Sequence, residues 1–261
     1  MTLLEAIILG IIQGLSEFLP ISSSGHLALG HLLFGLEEEG LFFTVVIHIG
    51  TLIPVVAVFW QDVWVLIKRP FQKMTYLLGV ASLPIAVVGL FLRDVVGAAF
   101  VSLWALAAGF VVTGVVLLIS DKLRKTTKTS EEITYFDALF IGAAQAVAIF
   151  PGISRSGSTI AAALARGISR EAAVKFAFLM SIPAILGALL IQIIDLVRDY
   201  SVAMQDINFL NLGAGMVAAM VSGYFAIKFM LAAVKKAKLR YFAYYVLLLA
   251  AAIAVGMVIF N

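Results

Sequence analysis

The 261-residue chain has no cysteine. This absence excludes disulfide bonds and thiolate metal ligands, and it says nothing about the compartment. Charged residues are also scarce, at 13%, whereas 63% of the residues are hydrophobic. A soluble domain is typically about half apolar and about a quarter charged, so it cannot hide this much apolar surface. The composition therefore excludes a soluble domain and predicts an all-α polytopic membrane protein.

The N-terminus MTLLEAIILG lacks a basic segment and a small-residue cleavage site, so we do not expect a removable signal peptide. The pI near 9.1 comes from basic loops. Such loops suit an anionic membrane surface better than a nucleic acid. We therefore expect the membrane, and no nucleic acid, as a partner.

Two polar stretches interrupt the apolar sequence, and they resemble each other. The first is 13–26 (QGLSEFLPISSSGH), and the second is 145–159 (QAVAIFPGISRSGST). Most matches fall on Gly, Ser, Gln and Phe, so abundant aliphatic residues do not explain them. The sequence predicts an internal repeat, with units at about 1–125 and 132–261. The pairs that match at a shift of 132 are Ala6 and Ala138, Gly10 and Gly142, Gln13 and Gln145, Phe18 and Phe150, Ile21 and Ile153, Ser22 and Ser154, Ser24 and Ser156, and Gly25 and Gly157.

Each unit begins with a broken pair of short apolar helices. The first pair covers 3–19 and about 23–34, with Glu37–Glu39 as its exit loop, and the second covers 135–150 and 155–166. None of these pieces has the roughly 20 residues that a full span needs. Non-helical backbone at membrane depth is tolerated only when it is buried in protein or lines a wet cavity. Each pair therefore predicts a re-entrant helical hairpin.

Three long apolar runs follow each hairpin. Because three is odd, the units must insert with opposite orientation, which predicts two inverted-topology repeats, each with one re-entrant hairpin and three transmembrane helices. Trp60 and Trp64, and Tyr241, Tyr244 and Tyr245, are expected to be interfacial anchors. The runs are about 41–60, 76–92, 100–120, 172–194, 208–232 and 241–260.

The basic residues orient this topology. One side receives thirteen of them, and the other receives only Arg93 and Arg198. The positive-inside rule makes the first side cytoplasmic, so both termini and the mouth of the first hairpin are expected to be external. The thirteen are Lys68, Arg69, Lys73, Lys122, Arg124, Lys125, Lys128, Arg166, Arg170, Lys235, Lys236, Lys238 and Arg240.

Both hairpins place a Ser/Gly-rich turn directly before a helix. Helix N-termini expose unpaired N–H groups and carry partial positive charge, so they bind phosphate well. The alternative is that Ser and Pro only cap the helix. The residues expected to contact phosphate are Ser22, Ser24, Gly25, Ser154, Ser156, Gly157 and Thr159.

The first unit carries ionisable groups that the second lacks, because Glu17 pairs with Ile149 and His26 with Ser158. Gln13 lies four residues before Glu17, so the two share a helix face. Glu17 fits a magnesium ligand, a general base or a structural carboxylate bonded to the serine turn.

His26 lies three residues after Ser23 and four after Ser22. It is therefore within reach of a neighbouring hydroxyl, as a base that activates a nucleophile would be. The alternative is a structural histidine in the core. His31 and His48 lack such neighbours, and we expect both to be structural.

Arg155 lies between Ser154 and Ser156 at a helix start, far from either interface. It needs an anionic partner, which is either Glu17 or a phosphate bound bidentately. Separately, small residues four apart form a ridge that indicates helix packing and hints at a homodimer. They are Gly215, Ala219 and Gly223.

The pattern of QGLSEFLPISSSGH, followed by PGISRSGST, resembles the bacitracin-resistance type of undecaprenyl-pyrophosphate phosphatase over nearly the whole chain. The resemblance implies interlocking inverted repeats in the bacterial plasma membrane and an active site that opens to the outside. It implies hydrolysis of undecaprenyl pyrophosphate to undecaprenyl phosphate and inorganic phosphate, which recycles the lipid carrier for peptidoglycan synthesis. It also implies dependence on a divalent cation, Mg²⁺ or another such as Ca²⁺.

By motif match, the resemblance makes Glu17 the acidic residue, Ser23 and His26 the reaction residues, and Arg155 the phosphate-binding residue. Gln13 fills a position that is Glu in some members. If that Glu binds metal in those members, a metal site made by Glu17 and Gln13 has one negative charge fewer here. The nucleophile stays open between Ser23, His26 and a water activated by His26.

The rival interpretation is a transporter or lipid flippase, because inverted repeats with broken helices are also transporter architecture. The asymmetry between the units favours chemistry, since catalysis needs a one-sided acid–base set. A structural membrane scaffold would leave the buried polar cluster unexplained.

Overall fold

The computed structural model describes residues 1–36, 40–123, 126–198, 208–235 and 238–260, and within them the secondary structure is helical with one isolated β-bridge. The predicted exit loop Glu37–Glu39 lies outside the described residues. A 3-10 turn covers Ser130–Glu132. The helices are α1 (Leu3–Phe18), α2 (Ser23–Phe34), α3 (Gly40–Val58), α4 (Trp60–Lys68), α5 (Lys73–Phe91), α6 (Arg93–Phe100), α7 (Leu103–Asp121), α8 (Tyr135–Val147), α9 (Arg155–Ala165), α10 (Arg170–Arg198), α11 (Phe209–Lys235) and α12 (Leu239–Phe260).

Five of the described helices are long and apolar enough to cross a membrane, namely α5, α7, α10, α11 and α12, and α3 with α4 makes a sixth if that bent pair is one span. The all-α, multi-pass class is confirmed. The six helices that match the predicted apolar runs begin and end within a few residues of them.

Two short helices were not predicted. After α3 the chain turns by 87° into α4, where the rings of Trp60 and Trp64 stack at 5.5 Å and Lys68 Nζ lies 4.9 Å from the Trp64 ring centroid. The apolar run therefore continues through a turn that hydrophobicity alone does not reveal. The second, α6, precedes α7, whose start is fixed by Ser102 accepting a hydrogen bond from the Ala105 N–H at 3.2 Å.

Both broken pairs form as helix pairs, which we call the first hairpin (α1 and α2) and the second hairpin (α8 and α9). Each opens with a capping box, in which a threonine and an acidic side chain satisfy each other's backbone N–H groups. Thr2 and Glu5 form the box of α1, and Thr134 and Asp137 form that of α8. The first hairpin ends at Gly35, whose positive φ of 66° suits glycine.

The hairpins pack against long helices from the opposite half of the chain. Helix α1 lies along α11, and α8 lies along α5. A Cβ on Gly10 would lie 2.3 Å from the Gly215 carbonyl oxygen, and one on Gly142 would lie 2.3 Å from that of Ala81. Any larger residue at either position would push the two helix backbones apart.

The small-residue ridge on α11 is confirmed as a helix-packing surface, and it packs inside the protomer. A Cβ on Gly215 would meet the Phe43 ring at 2.5 Å, and one on Gly223 would meet Phe18 at 2.9 Å. Ala219 between them is completely buried. The ridge therefore gives no support to a homodimer, because α1 and α3 of the same chain already cover it.

Candidate active site

The starts of α2 and α9 are built alike. Ser22 caps α2 by accepting a hydrogen bond from the Gly25 N–H at 3.4 Å, and Ser154 caps α9 by accepting one from the Gly157 N–H at 3.1 Å. Each cap also bonds the serine two residues later at 3.2 Å. Capping is therefore an actual role of both serines, and it satisfies one of the first N–H groups of each helix, which have no intrahelical acceptors.

The turn before α9 is fastened to the rest of the bundle. Thr113 on α7 donates its hydroxyl to the Gly152 carbonyl at 2.8 Å and accepts from the Ser154 N–H at 2.9 Å. Ser156 donates to the Leu19 carbonyl at 3.0 Å, which joins the second hairpin to the first. The role of Thr113 is not predictable from the sequence, because a lone threonine in an apolar run carries no signal.

Glu17 is the centre of the site. Its Oε2 accepts hydrogen bonds from Ser23 Oγ at 2.5 Å and from Gln13 Nε2 at 3.2 Å, while its Oε1 accepts from Arg155 Nη2 in a salt bridge. The Glu17 side chain is 3% exposed and that of Arg155 is 20% exposed. Of the two partners expected for Arg155, the structure therefore shows the carboxylate.

Ser23 and Arg155 occupy equivalent positions, since each is the first residue of its helix. They approach Glu17 from the two hairpins. Ser22, which precedes Ser23, has φ 70° and is the one described non-glycine residue with positive φ. Such a conformation costs about 1–3 kcal/mol and is found mostly at functional sites. Here it occurs at the residue directly before Ser23, which donates to Glu17.

A cleft of about 140 Å³ lies beside these groups. Its polar lining consists of the side chains of Glu17, Arg155 and the serines at 22–24, and Ile149 and Ile185 form apolar walls. His48 on α3 also lines the cleft, although its sequence context predicts a structural role. The cleft is one-sided, because Ile149 stands on the second hairpin where the first has Glu17.

His26 lies outside the lining of this cleft. Its Nδ1 bonds the Ser22 carbonyl at 2.8 Å and its Nε2 bonds the Tyr245 hydroxyl at 2.7 Å, while its ring meets Phe110 edge-on at 5.5 Å. Because a carbonyl only accepts, Nδ1 carries the proton and Tyr245 donates to Nε2. The predicted contact with a serine hydroxyl is therefore replaced by these two contacts. Tyr245, expected to be a membrane anchor, also bonds His26.

The residues expected to bind phosphate divide into two groups. Ser22 and Ser24 line the cleft, whereas Gly25 packs against Phe110, whose ring would lie 2.6 Å from an added Cβ. On the second hairpin the hydroxyls form hydrogen bonds within the protein. Thr159, for example, donates to the Arg155 carbonyl at 2.9 Å. Phosphate contact by Ser22, Ser24 and Gly25 stays a prediction, and so does phosphate contact by the second-hairpin residues. They are Ser154, Ser156, Gly157 and Thr159.

A divalent cation would find only part of a ligand set here. The described residues hold no group of three or more His, Cys, Asp or Glu side chains that could bind a metal. Glu17 is one carboxylate, and the buried Gln13 Oε1 has no hydrogen-bond partner among the described residues. Mg²⁺ commonly takes one or two carboxylates together with substrate phosphate oxygens and waters. The donor set therefore fits a cation that arrives with a phosphate-bearing substrate.

These groups can perform phosphoryl transfer. The first residues of two helices, one of which carries a guanidinium, are groups that can bind an anion, and a hydroxyl donates directly to a carboxylate that can take its proton. The apolar walls keep the charges of the site in a poorly screened environment, where they act strongly.

Comparison with known proteins agrees with this chemistry. The family model described as "Bacitracin resistance protein BacA" matches residues 6–252. The chain is 43% identical to an undecaprenyl-diphosphatase of Carboxydothermus hydrogenoformans over 96% of each chain. It is 46% identical to undecaprenyl-diphosphatase 4 of Bacillus cereus over 94% of each, and 42% identical to an undecaprenyl-diphosphatase of Halothermothrix orenii over 94% of each.

Proposed function

Because the chain belongs to the bacitracin resistance protein BacA family, we propose that it is a membrane phosphatase that hydrolyses undecaprenyl pyrophosphate to undecaprenyl phosphate and inorganic phosphate. This activity recycles the lipid carrier for cell-wall synthesis and gives bacitracin resistance. The observation that carries the proposal is the contact of Ser23 and Arg155 with opposite oxygens of Glu17. That arrangement brings together Ser23 as nucleophile, Glu17 as its base and the Arg155 guanidinium as the phosphate-binding group.

In the first step, Ser23 Oγ attacks the terminal phosphorus while its proton passes to Glu17. The bond between this phosphorus and the bridging oxygen breaks, and its electron pair leaves with undecaprenyl phosphate. Arg155 and the helix N-termini stabilise the charge on the transferring phosphoryl group. In the second step, water releases phosphate from Ser23, and Ser23 recovers the proton held by Glu17.

We propose Mg²⁺, or another divalent cation such as Ca²⁺, as the cofactor. Glu17 and Gln13 would hold it, and it would supply neutralisation of phosphate charge. Gln13 Oε1, buried and without a described partner, supports this assignment. The single carboxylate predicts weak affinity in the absence of substrate.

The test is phosphate release from undecaprenyl pyrophosphate by purified protein in detergent, across a Mg²⁺ titration and with EDTA. We expect release that EDTA abolishes, because the site cannot otherwise neutralise a diphosphate.

Gln13→Glu, by adding a carboxylate, should lower the Mg²⁺ concentration for half-maximal rate by about 10-fold. Folded protein that binds the lipid yet releases no phosphate with any divalent cation would favour a transporter.

We also propose that the two units are inverted repeats, with boundaries at about 1–125 and 132–261. Equivalent features at the shift of 132 support this: the two capping boxes, the two close glycine contacts and the two serine caps. The exchange of partners, α1 with α11 and α8 with α5, is what a pseudo-twofold axis produces.

The proposed orientation in the bacterial plasma membrane places both termini and the mouth of the first hairpin outside. It rests on the basic residues, of which Arg124, Lys125 and Lys236 lie outside the described part of the chain.

Because the protein has no cysteine, single cysteines can report the side of each loop. In intact cells, a membrane-impermeant maleimide should label Asp94→Cys and leave Lys122→Cys unlabelled until the cells are opened. Labelling of both, or the reverse pattern, would contradict the inverted topology.

A further inference from the structure

His48 lines the cleft, and one of its two ring nitrogens is already hydrogen-bonded. Its Nδ1 lies 2.7 Å from the Thr44 carbonyl oxygen, and because a carbonyl only accepts, Nδ1 carries the proton. Nε2 is then an acceptor. No residue in the described part of the chain supplies it with a hydrogen bond, and the residue lines the cleft beside Glu17 and Ser23.

The backbone around His48 is held firmly. The Thr51 hydroxyl donates to the His48 carbonyl at 2.7 Å, and Thr51 is completely buried. At Gly50 the chain approaches α11 so closely that a Cβ would lie 2.7 Å from the Met216 carbonyl oxygen. Helix α3 therefore cannot shift far along α11, and the imidazole keeps its place.

The ionisable groups of the site other than His48 already have hydrogen-bond partners. Glu17 accepts from Ser23, Gln13 and Arg155, and both nitrogens of His26 already have partners, the Ser22 carbonyl and the Tyr245 hydroxyl. Among the described residues that line the cleft, His48 therefore offers the unused nitrogen acceptor. Hydrolysis needs such an acceptor, because a water must be oriented with a lone pair towards phosphorus.

We propose that His48 Nε2 accepts a hydrogen bond from the water that releases phosphate from Ser23, an inference that rests on the proposed function. The water oxygen bonds to phosphorus, and one of its protons moves to a non-bridging phosphate oxygen. The bond from Ser23 Oγ to phosphorus breaks, and Oγ takes back the proton from Glu17. The products are dihydrogen phosphate, a free Ser23 hydroxyl and an ionised Glu17.

The experiment uses undecaprenyl pyrophosphate labelled at the terminal phosphate. In His48→Leu we expect the first burst of undecaprenyl phosphate to persist, label to accumulate on the protein, and steady phosphate release to fall by about 100-fold. His48→Gln keeps an acceptor oxygen on a side chain of similar length, so its steady rate should stay within about 10-fold of wild type.

His31→Leu is the matched control. His31 also bonds a carbonyl through Nδ1, that of Leu36 at 3.4 Å, but it does not line the cleft. It should keep the wild-type rate, and thermal unfolding in detergent should show that all three variants are folded.

Several results would overturn the role of His48. They are a wild-type rate in His48→Leu, equal slowing of both products with no labelled protein, or a His48→Gln variant as slow as His48→Leu. Failure of the proposed function itself would look different, since wild-type protein would then release no phosphate.

Discussion

Arg155→Ala should lower the rate of phosphate release by about 1,000-fold or more. Arginine groups that stabilise a transferring phosphoryl group contribute about 10³–10⁵ in rate. Arg155 is the guanidinium that lines the cleft beside Ser23. The measurement is steady phosphate release from undecaprenyl pyrophosphate at saturating Mg²⁺, with the first-step burst recorded alongside.

This variant also removes the partner of a carboxylate that is 3% exposed. Removing one partner of a buried ion pair typically costs about 3–5 kcal/mol, because the remaining charge stays buried. A loss of activity therefore has to be separated from a loss of folding. The double variant Glu17→Gln with Arg155→Met removes both charges, so it should unfold at a higher temperature than Arg155→Ala while staying inactive.

Two further variants sharpen the result. Arg155→Lys keeps the charge without the planar fork, so it should recover part of the rate and not all of it. Arg240→Ala removes an exposed arginine that stacks on Tyr241 at 5.5 Å, and it should keep the wild-type rate. Wild-type turnover by a folded Arg155→Ala protein would remove Arg155 from the phosphate site.

The contact between Glu17 and Arg155 could be foreseen from the sequence because each residue demands a partner. A carboxylate and a guanidinium at membrane depth are both costly when unpaired. Glu17 lies just before the Ser/Gly turn of the first hairpin and Arg155 at the end of the similar turn of the second, so a contact between the two hairpins is one of the two expected outcomes. The limits of the hairpin helices were equally predictable, because Pro20, Pro151 and the Ser/Gly turns interrupt the helical pattern there.

The parts that were not predicted depend on packing between distant segments. His48 reaches the cleft because α3 packs on α11, and nothing in FTVVIHIG distinguishes that imidazole from a core histidine. The aromatic neighbours of Tyr245 predict a place at the membrane interface, and they do not indicate its bond to His26, which lies 219 residues away. The positive φ of Ser22 could not be predicted, because serine rarely adopts this conformation. Periodicity and motif spacing report local structure, and such contacts are not local.

The choice of nucleophile is narrowed by the same geometry. His26 has both nitrogens bonded to the Ser22 carbonyl and the Tyr245 hydroxyl, so it would have to break one of these contacts to attack phosphorus. Ser23 instead lines the cleft and donates to Glu17 at 2.5 Å. A serine hydroxyl becomes a strong nucleophile only when an adjacent base takes its proton. The hydroxyl with such a base within reach is that of Ser23.

Ser23→Ala should therefore lower phosphate release by about 10,000-fold and abolish any labelled phosphoenzyme, because removal of a covalent nucleophile leaves only binding and charge stabilisation. The measurement is acid-quench trapping of the terminal label with mass mapping of the modified residue. Ser16→Ala is the control, since Ser16 is buried on the same hairpin but donates to the Ile12 carbonyl. Labelled protein or near-wild-type turnover in Ser23→Ala would assign the attack to another group. If turnover persists without labelled protein, the attacking group that the cleft offers is water held by His48, in a single displacement with no covalent intermediate.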